Sequence, residues 1–259
     1  MISSTSNPQM KHIIQLAKKA RYRREQEQYV VEGIRMVDEI PGPLLIRAYL
    51  SESYAGKYGT PDHYPCEVVS DRVFAQISDT KTPQGILALV KMQKYSLEQM
   101  LREPRVNLIL LEDLRDPGNM GTIVRCAEGA GVTGIIASDT SVDLYNPKVI
   151  RSTMGSVFRV PVLFVPDFKK LLVRLKEENV TLYAAHLAGS SDYDRISYSD
   201  RSGVMIGNEA QGLSEEAAGM ADTLVKIPMM GKVESLNAAI ASSVFMYEIF
   251  RQKRQREDK

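Results

Sequence analysis

The chain has 259 residues, 44% hydrophobic and 25% charged, with 33 Lys and Arg against 32 Asp and Glu for a net charge of +1. This is the composition of an ordinary globular protein with room for two domains, and its charge balance alone points to no partner. Cys66 and Cys126 form no C-x-x-C pair, His12, His63 and His186 lack ligand spacing, and no apolar run reaches the roughly 18 residues of a membrane span, so disulfide framework, metal and membrane are excluded from the reading.

Taken in order, Met1–Pro8 lacks the regions of a signal peptide, and the expected location is cytoplasmic. Residues 8–24 read as one basic helix opened by Pro8, with Ile13, Ile14, Leu16 and Ala17 on one side. Between Lys11 and Arg24 stand Lys11, Lys18, Lys19, Arg21, Arg23 and Arg24 with no acid among them. Such a run either follows a phosphate backbone or is a solvated helix face. Tyr29–Val31 reads as a strand, Ile34–Ile40 as a helix stopped by Pro41-Gly-Pro43, and Leu44–Leu50 and Cys66–Val69 as strands separated by a loop rich in Gly, Pro, Ser and Tyr. Asp71–Ser78 is a further helix, Gly85–Val90 a buried strand, and the polar stretch Gln93–Arg105 a linker.

From Val106 strands and helices alternate. Val106–Leu111 is apolar on both faces, as a central parallel strand should be. A helix over Gly121–Ala130 follows, with Asp or Asn available as its cap. Later strands are Gly134–Ala137, Val160–Val165, Thr181–Ala185, Gly203–Ile206 and Leu224–Ile227. Helices are expected at 146–154, 167–178, 214–219 and from about 236 to 254, the last with a stripe of Leu236, Ile240, Val244 and Tyr247. The alternation implies an α/β fold with a mostly parallel, doubly wound sheet. Gly129-Ala-Gly131-Val-Thr-Gly134 matches the dinucleotide pattern G-x-G-x-x-G, but a helix precedes it and a strand follows. That is the reverse of the order that aims a helix N-terminus at a pyrophosphate, so these glycines read as a helix stop and a turn.

Three stretches in the second half place polar groups and bare backbone where buried strands give way to helices or turns: Asn119–Arg125, Gly207–Ser214 and Ile227–Asn237. Ligand sites of open α/β sheets form at such junctions, and three of them suggest one composite site. They resemble, in this order, the N-x-G-T-x-x-R, G-x-E-x-x-G-L/M-S and I-P-M-x-G-x-V-x-S-L-N motifs of the SpoU (TrmH-like) branch of the SPOUT RNA methyltransferases. Tyr145–Gly155 is a further familiar stretch, and Ser6-Asn-Pro8 and Val31-Glu-Gly33 resemble the family's N-terminal substrate-binding extension.

The resemblance implies an L30e-like α/β RNA-binding domain over 1–100 and a SPOUT α/β catalytic domain over 106–259 whose C-terminal part is threaded into a trefoil knot. It also implies a homodimer that uses S-adenosylmethionine to methylate a ribose 2′-hydroxyl in RNA, ribosomal RNA ahead of transfer RNA. A non-catalytic RNA-binding or assembly factor with the same fold is the alternative from another class. Catalytic candidates are Arg125, Asn119, Glu209, Ser235 and Asn237. A guanidinium keeps its proton above pH 12 or so, so Arg125 reads better as a clamp on the neighbouring phosphate than as a base. Apolar neighbours suggest that Arg125 lies on a covered helix. Asn119 either meets RNA or holds its loop, and Glu209 either orients Arg125 or the hydroxyl, or is a turn carboxylate.

Cofactor candidates are Leu187, Ala188, Ile206, Gly207, Asn208, Gly212, Ile227, Met229, Leu236 and Asn237. Glycine at 207, 212 and 231 admits close backbone approach, and a helix starting near Ser235 offers free N–H groups. RNA candidates are Lys18, Lys19, Arg21, Arg23, Arg24, Lys148 and Arg151.

Overall fold

The computed structural model describes residues 1–257. Packing divides them into two units: Met1–Gln93 with Asp143–Phe158, and Lys94–Val142 with the chain from Arg159 onward. The segment Asp143–Phe158, expected with the second domain, thus folds with the first.

In the first unit α1 (Pro8–Lys18) starts at Asn7, whose Oδ1 accepts the Gln9 amide at 2.8 Å. The single helix expected over 8–24 is broken at Lys19, which is extended, and α2 (Ala20–Gln26) resumes beyond it. Arg23 supplies the reason. Its Nη1 reaches back to the carbonyls of Leu16 at 2.5 Å and Ala17 at 3.2 Å, while Nε and Nη2 donate to Asp143 Oδ2 at 2.8 and 2.5 Å. A helix end leaves carbonyls without partners, and the guanidinium takes two of them. With only 3% of its surface exposed, Arg23 does not face a phosphate backbone, which removes it from the basic run; Lys18, Lys19, Arg21 and Arg24 stay exposed. Arg23→Met is expected to cost about 3–5 kcal/mol in urea unfolding, because it strands the half-buried Asp143 carboxylate and the two carbonyls.

The unit continues with β1 (Gln28–Glu32), α3 (Ile34–Asp38), β2 (Leu45–Ser51), α4 (Glu52–Tyr58), β3 (Cys66–Val69), α5 (Asp71–Ile77) and β4 (Ile86–Lys91). Helix α4 lies where a loop was expected, and Ser51 caps it by accepting the Tyr54 amide at 3.1 Å. The strands form a sheet in the order β1-β4-β2-β3, antiparallel except for β2 with β3. Its apolar core joins Met10, Ile13 and Leu16 of α1 to Tyr49, Phe74 and Leu87.

The second unit opens with α6 (Leu97–Leu101), inside the stretch read as a linker. Ser96 and Gln99 cap it reciprocally, and Met100 fixes it to the core. Then come β5 (Val106–Leu111), α7 (Pro117–Gly129) and β6 (Gly134–Ser138). Helix α8 (Pro147–Thr153) belongs to the first unit. The chain returns with β7 (Val162–Val165), α9 (Phe168–Glu177), β8 (Thr181–Ala185), β9 (Ser191–Asp192), β10 (Arg201–Ile206), α10 (Glu215–Gly219), β11 (Thr223–Lys226) and α11 (Ala238–Glu257).

These strands make one sheet in the order β7-β6-β5-β10-β8-β11-β9, with every pairing parallel. Leu108, Leu110, Leu182 and Met205 point to one face, where Leu171, Leu172 and Leu175 of α9 cover them. Alternate residues such as Ile109 and Val204 point to the other face, where α7 and α11 pack. Successive strands β5, β6 and β7 run to one side. The chain then crosses over to lay β8 on the other side, and β10 enters between β5 and β8. The glycine decoy is as read: α7 ends at Gly129, Gly131 turns with φ +63, and β6 begins at Gly134.

The stripe expected to bury α11 does not. Ile240 and Tyr247 are 50% and 49% exposed, and the helix instead buries Ala238, Ala239, Ser242, Phe245, Met246 and Ile249. Small residues in the first turns let α11 lie close to its neighbours, Phe245, Met246 and Ile249 fill the core beyond them, and Ile240 and Tyr247 are left facing outward.

Candidate active site

A cavity of about 470 Å³ opens at the carboxyl ends of β8, β10 and β11, beside the point where the strand order reverses. That is where open parallel sheets bind ligands. Strand ends Ala185, Ile206 and Lys226 form its floor, and Phe245 of α11 closes one side. Of the ten cofactor candidates, Leu187, Ile206, Gly207, Asn208, Gly212, Ile227, Met229, Leu236 and Asn237 line it. Ala188 does not; its amide donates to His186 Nδ1 at 3.2 Å. Ser235 and Glu209 are also in the wall.

Three motif stretches meet here through one chain of hydrogen bonds. Glu209 accepts the amides of Arg115 at 3.1 Å and Asp116 at 2.9 Å, and Asn119 Nδ2 at 2.9 Å. Asn119 Oδ1 in turn accepts Asn237 Nδ2 at 2.9 Å. Asn237 then caps α11, its Oδ1 accepting the amides of Ala239 at 2.9 Å and Ile240 at 3.3 Å. Asn119 is therefore the buried node that ties the second motif to the third, and it holds its loop. Glu209 orients the start of α7 and makes no hydrogen bond to Arg125. The helix expected near Ser235 begins at Ala238, and Asn237 already engages its first N–H groups.

The loop after β10 is built just as tightly. Asn208 and Gly212 exchange backbone hydrogen bonds at 3.0 and 2.8 Å, with Gly212 at φ +73. Asn208 Nδ2 donates to the Asp113 carbonyl at 2.9 Å and to its Oδ2 at 3.2 Å, and Glu112 accepts both the amide and the hydroxyl of Ser214. Glu112 and Asp113 were missed from the sequence; the signal was two acids directly after the buried strand β5. A Cβ on Gly207 would lie 2.1 Å from the backbone of Gly212 and Leu213, whereas one on Gly231 would meet nothing within 4 Å. Close approach thus requires glycine at 207, and nothing in the structure requires it at 231.

Partial burial raises the Glu209 carboxyl, but hydrogen bonds from Asn119 and from the Asp116 and Arg115 amides outweigh it, leaving the group below the ordinary glutamate range. The stability it contributes is fully present above the unfolded-state value of about 4.3 and is lost as pH falls through the lowered folded-state value. Glu209→Gln is therefore expected to lower Tm at pH 7, with the gap to the parent closing as melts are repeated below about pH 4.

Arg125 lies on α7 with Ile123, Val124 and Ala127 buried around it, yet its own side chain is exposed. The helix is covered as expected, but Arg125 itself points outward, and it is not among the residues lining the cavity. Lys148 is exposed on α8, and Arg151 pairs with Asp79 at 2.7 Å. Arg21 pairs with Glu25 along α2. Among the described residues no cluster of His, Cys, Asp or Glu is arranged to hold a metal ion, and no helix is long and apolar enough to cross a membrane.

Comparison with known proteins gives a consistent picture. Residues 107–247 match the model of the SpoU rRNA Methylase family, and residues 7–88 match an MRM3-like substrate binding domain. The 23S rRNA (guanosine(2553)-2′-O)-methyltransferase RlmP of Bacillus subtilis is 28% identical over 250 residues, 96% of this chain and 98% of that protein. A putative TrmH family tRNA/rRNA methyltransferase of Staphylococcus epidermidis is 32% identical over 68% of this chain and 73% of its own length. The crystal structure of an AdoMet-bound rRNA methyltransferase from Sinorhizobium meliloti superposes with a TM-score of 0.82 at 30% identity, covering 96% of this chain and 97% of that one.

Proposed function

The chain belongs to the SpoU rRNA methylase family, and on that footing we propose that it methylates a ribose 2′-hydroxyl of RNA with S-adenosylmethionine as donor, 23S ribosomal RNA being the favoured substrate. The observation that carries this reading is the Glu209–Asn119–Asn237 hydrogen-bond chain, which draws all three motifs to one cavity. A cytoplasmic site of action follows from that substrate. Residues 1–100 take the part of RNA-binding domain and 106–259 that of catalytic domain, with Asp143–Phe158 lent to the former. The trefoil knot implied by the resemblance is proposed for the C-terminal part; the insertion of β10 between the earlier strands β5 and β8 supports it.

The cavity fits the cofactor. Ile206, Gly207 and Asn208 line the cavity, with Gly207 packed against the backbone of Gly212 and Leu213, and polar backbone edges there suit an adenine and a ribose. Leu187, Ile227 and Leu236 offer apolar surface to a flat ring. When bound, S-adenosylmethionine supplies a methyl group made electrophilic by its sulfonium. The chain's part is to hold the acceptor in line and to favour loss of its proton. Asn119 and Glu209 fix the motif loops, Ser235 stands exposed in the wall, and Arg125 clamps the phosphate beside the acceptor ribose and polarises the hydroxyl.

A homodimer is part of the proposal. The exposed Ile240 and Tyr247 on one side of α11 support it, since such apolar side chains in a row call for a partner surface. Incubating the protein and labelled donor with separate ribosomal and transfer RNA pools, then mapping blocked ribose hydroxyls, tests the activity. Label confined to transfer RNA would replace the substrate, and no label with cofactor binding absent would favour an assembly factor.

A further inference from the structure

We infer that the outer face of α4 and the Gly59–Tyr64 loop is a stacking platform for unpaired RNA bases, separate from the basic α1–α2 surface. The inference rests on RNA being this protein's substrate, as proposed above. The rings of Tyr54 and Tyr58 stand one turn apart on α4 with centroids 4.8 Å apart and an interplanar angle of 47°. Lys57 Nζ lies 4.9 Å over the Tyr58 ring. Gly59, at φ +78, ends the helix and sends the chain through a short loop, which places His63 against Tyr64 with centroids 4.5 Å apart. Helix α4 packs against β3, which starts two residues after Tyr64, so the loop returns to the side of the helix.

Little covers this face. Tyr58 is 59% exposed, His63 and Lys57 are exposed, and a Cβ added at Gly56 or Gly59 would meet nothing within 4 Å. The chemistry selects the occupant. Apart from Met1 and Met154, no other large apolar side chain of this unit is exposed among the described residues, so a protein partner would find no aliphatic patch. The exposed rings of Tyr58 and His63, with one ammonium beside Tyr58, suit the flat face of a base, which stacks without regard to sequence. Asp38, Glu52 and Asp62 keep this surface from being basic. It therefore takes bases and not the phosphate backbone, and loops and bulges and not A-form duplex.

Because the chain contains no Trp, Tyr58→Trp gives a single reporter. Titration with a single-stranded oligouridylate should quench its fluorescence, and the quench should persist as salt rises, since few phosphates are involved. A duplex of the same length should not quench it. In methyl-transfer assays on ribosomal RNA fragments, Tyr58→Ala should raise KM about tenfold, the loss of one stacked base, with kcat and Tm unchanged, while Tyr58→Phe should behave as the parent. Absence of quenching, equal quenching by duplex, or an unchanged KM in Tyr58→Ala would overturn the platform. If the oligomer quenches but no RNA pool is methylated, the platform stands and the proposed activity falls.

Discussion

Gly207→Ala is expected to abolish cofactor binding and to destabilise the second unit. The new methyl group would sit 2.1 Å from Gly212 C and Leu213 N, and these are backbone atoms that cannot rotate away. Their position is fixed from several sides: Asn208 and Gly212 exchange two backbone hydrogen bonds, Asn208 is held by Asp113, and Ser214 by Glu112. The loop would have to move outward, breaking part of this set and deforming the cavity wall. Overpacking of a closed site costs about 1–3 kcal/mol, and the rearranged wall should weaken S-adenosylmethionine by at least roughly a hundredfold, or about 2.7 kcal/mol. Isothermal titration and thermal melting measure the two effects separately. Gly231→Ala is the control: its Cβ would meet nothing within 4 Å, so binding and Tm should match the parent. Parent-like binding in Gly207→Ala would mean that the cofactor does not use this wall.

How much of this was legible in the sequence depends on what each feature rests on. Strands such as Val106–Leu111, read from a run that is apolar except for Asn107, are found where expected because both faces of a central parallel strand are covered. The convergence of Asn119, Glu209 and Asn237 was legible only as a hint, since residues 90 and 118 positions apart are joined by topology and not by spacing. The break at Lys19 was not legible, because it depends on Arg23 finding Asp143, 120 residues away. Helix α6 did leave a signal, Ser96 and Gln99 three residues apart, which the polar character of the stretch obscured. The α11 stripe misled for a different reason. Periodicity reports which face is most apolar, whereas burial there is decided by Ala238, Ala239 and Ser242, small enough to let the helix close in. Arg125 shows the converse: buried neighbours on a helix say nothing about the side chain that points between them.

That exposure makes Arg125→Ala the sharpest test of the proposed chemistry. An exposed arginine with no ion pair or hydrogen bond among the described residues contributes little to folding, so Tm should change by less than the equivalent of about 0.5 kcal/mol. Arg125 is not part of the cavity wall, so cofactor affinity should also hold. Methyl transfer should nevertheless fall by about 10²–10³-fold, the usual loss when one donor that stabilises developing charge is removed. Single-turnover transfer at saturating RNA isolates that step from binding. Arg125→Lys separates the two roles open to the residue. A lysine keeps the positive charge but not the planar fork that holds a phosphate through two donors, so it should recover only a minor part of the rate if the guanidinium is a clamp. It should recover most of it if charge alone polarises the hydroxyl. A variant as active as the parent would remove Arg125 from the reaction. The loose fit of an exposed arginine to a catalytic role would then direct the search to Ser235, the exposed hydroxyl in the cavity wall.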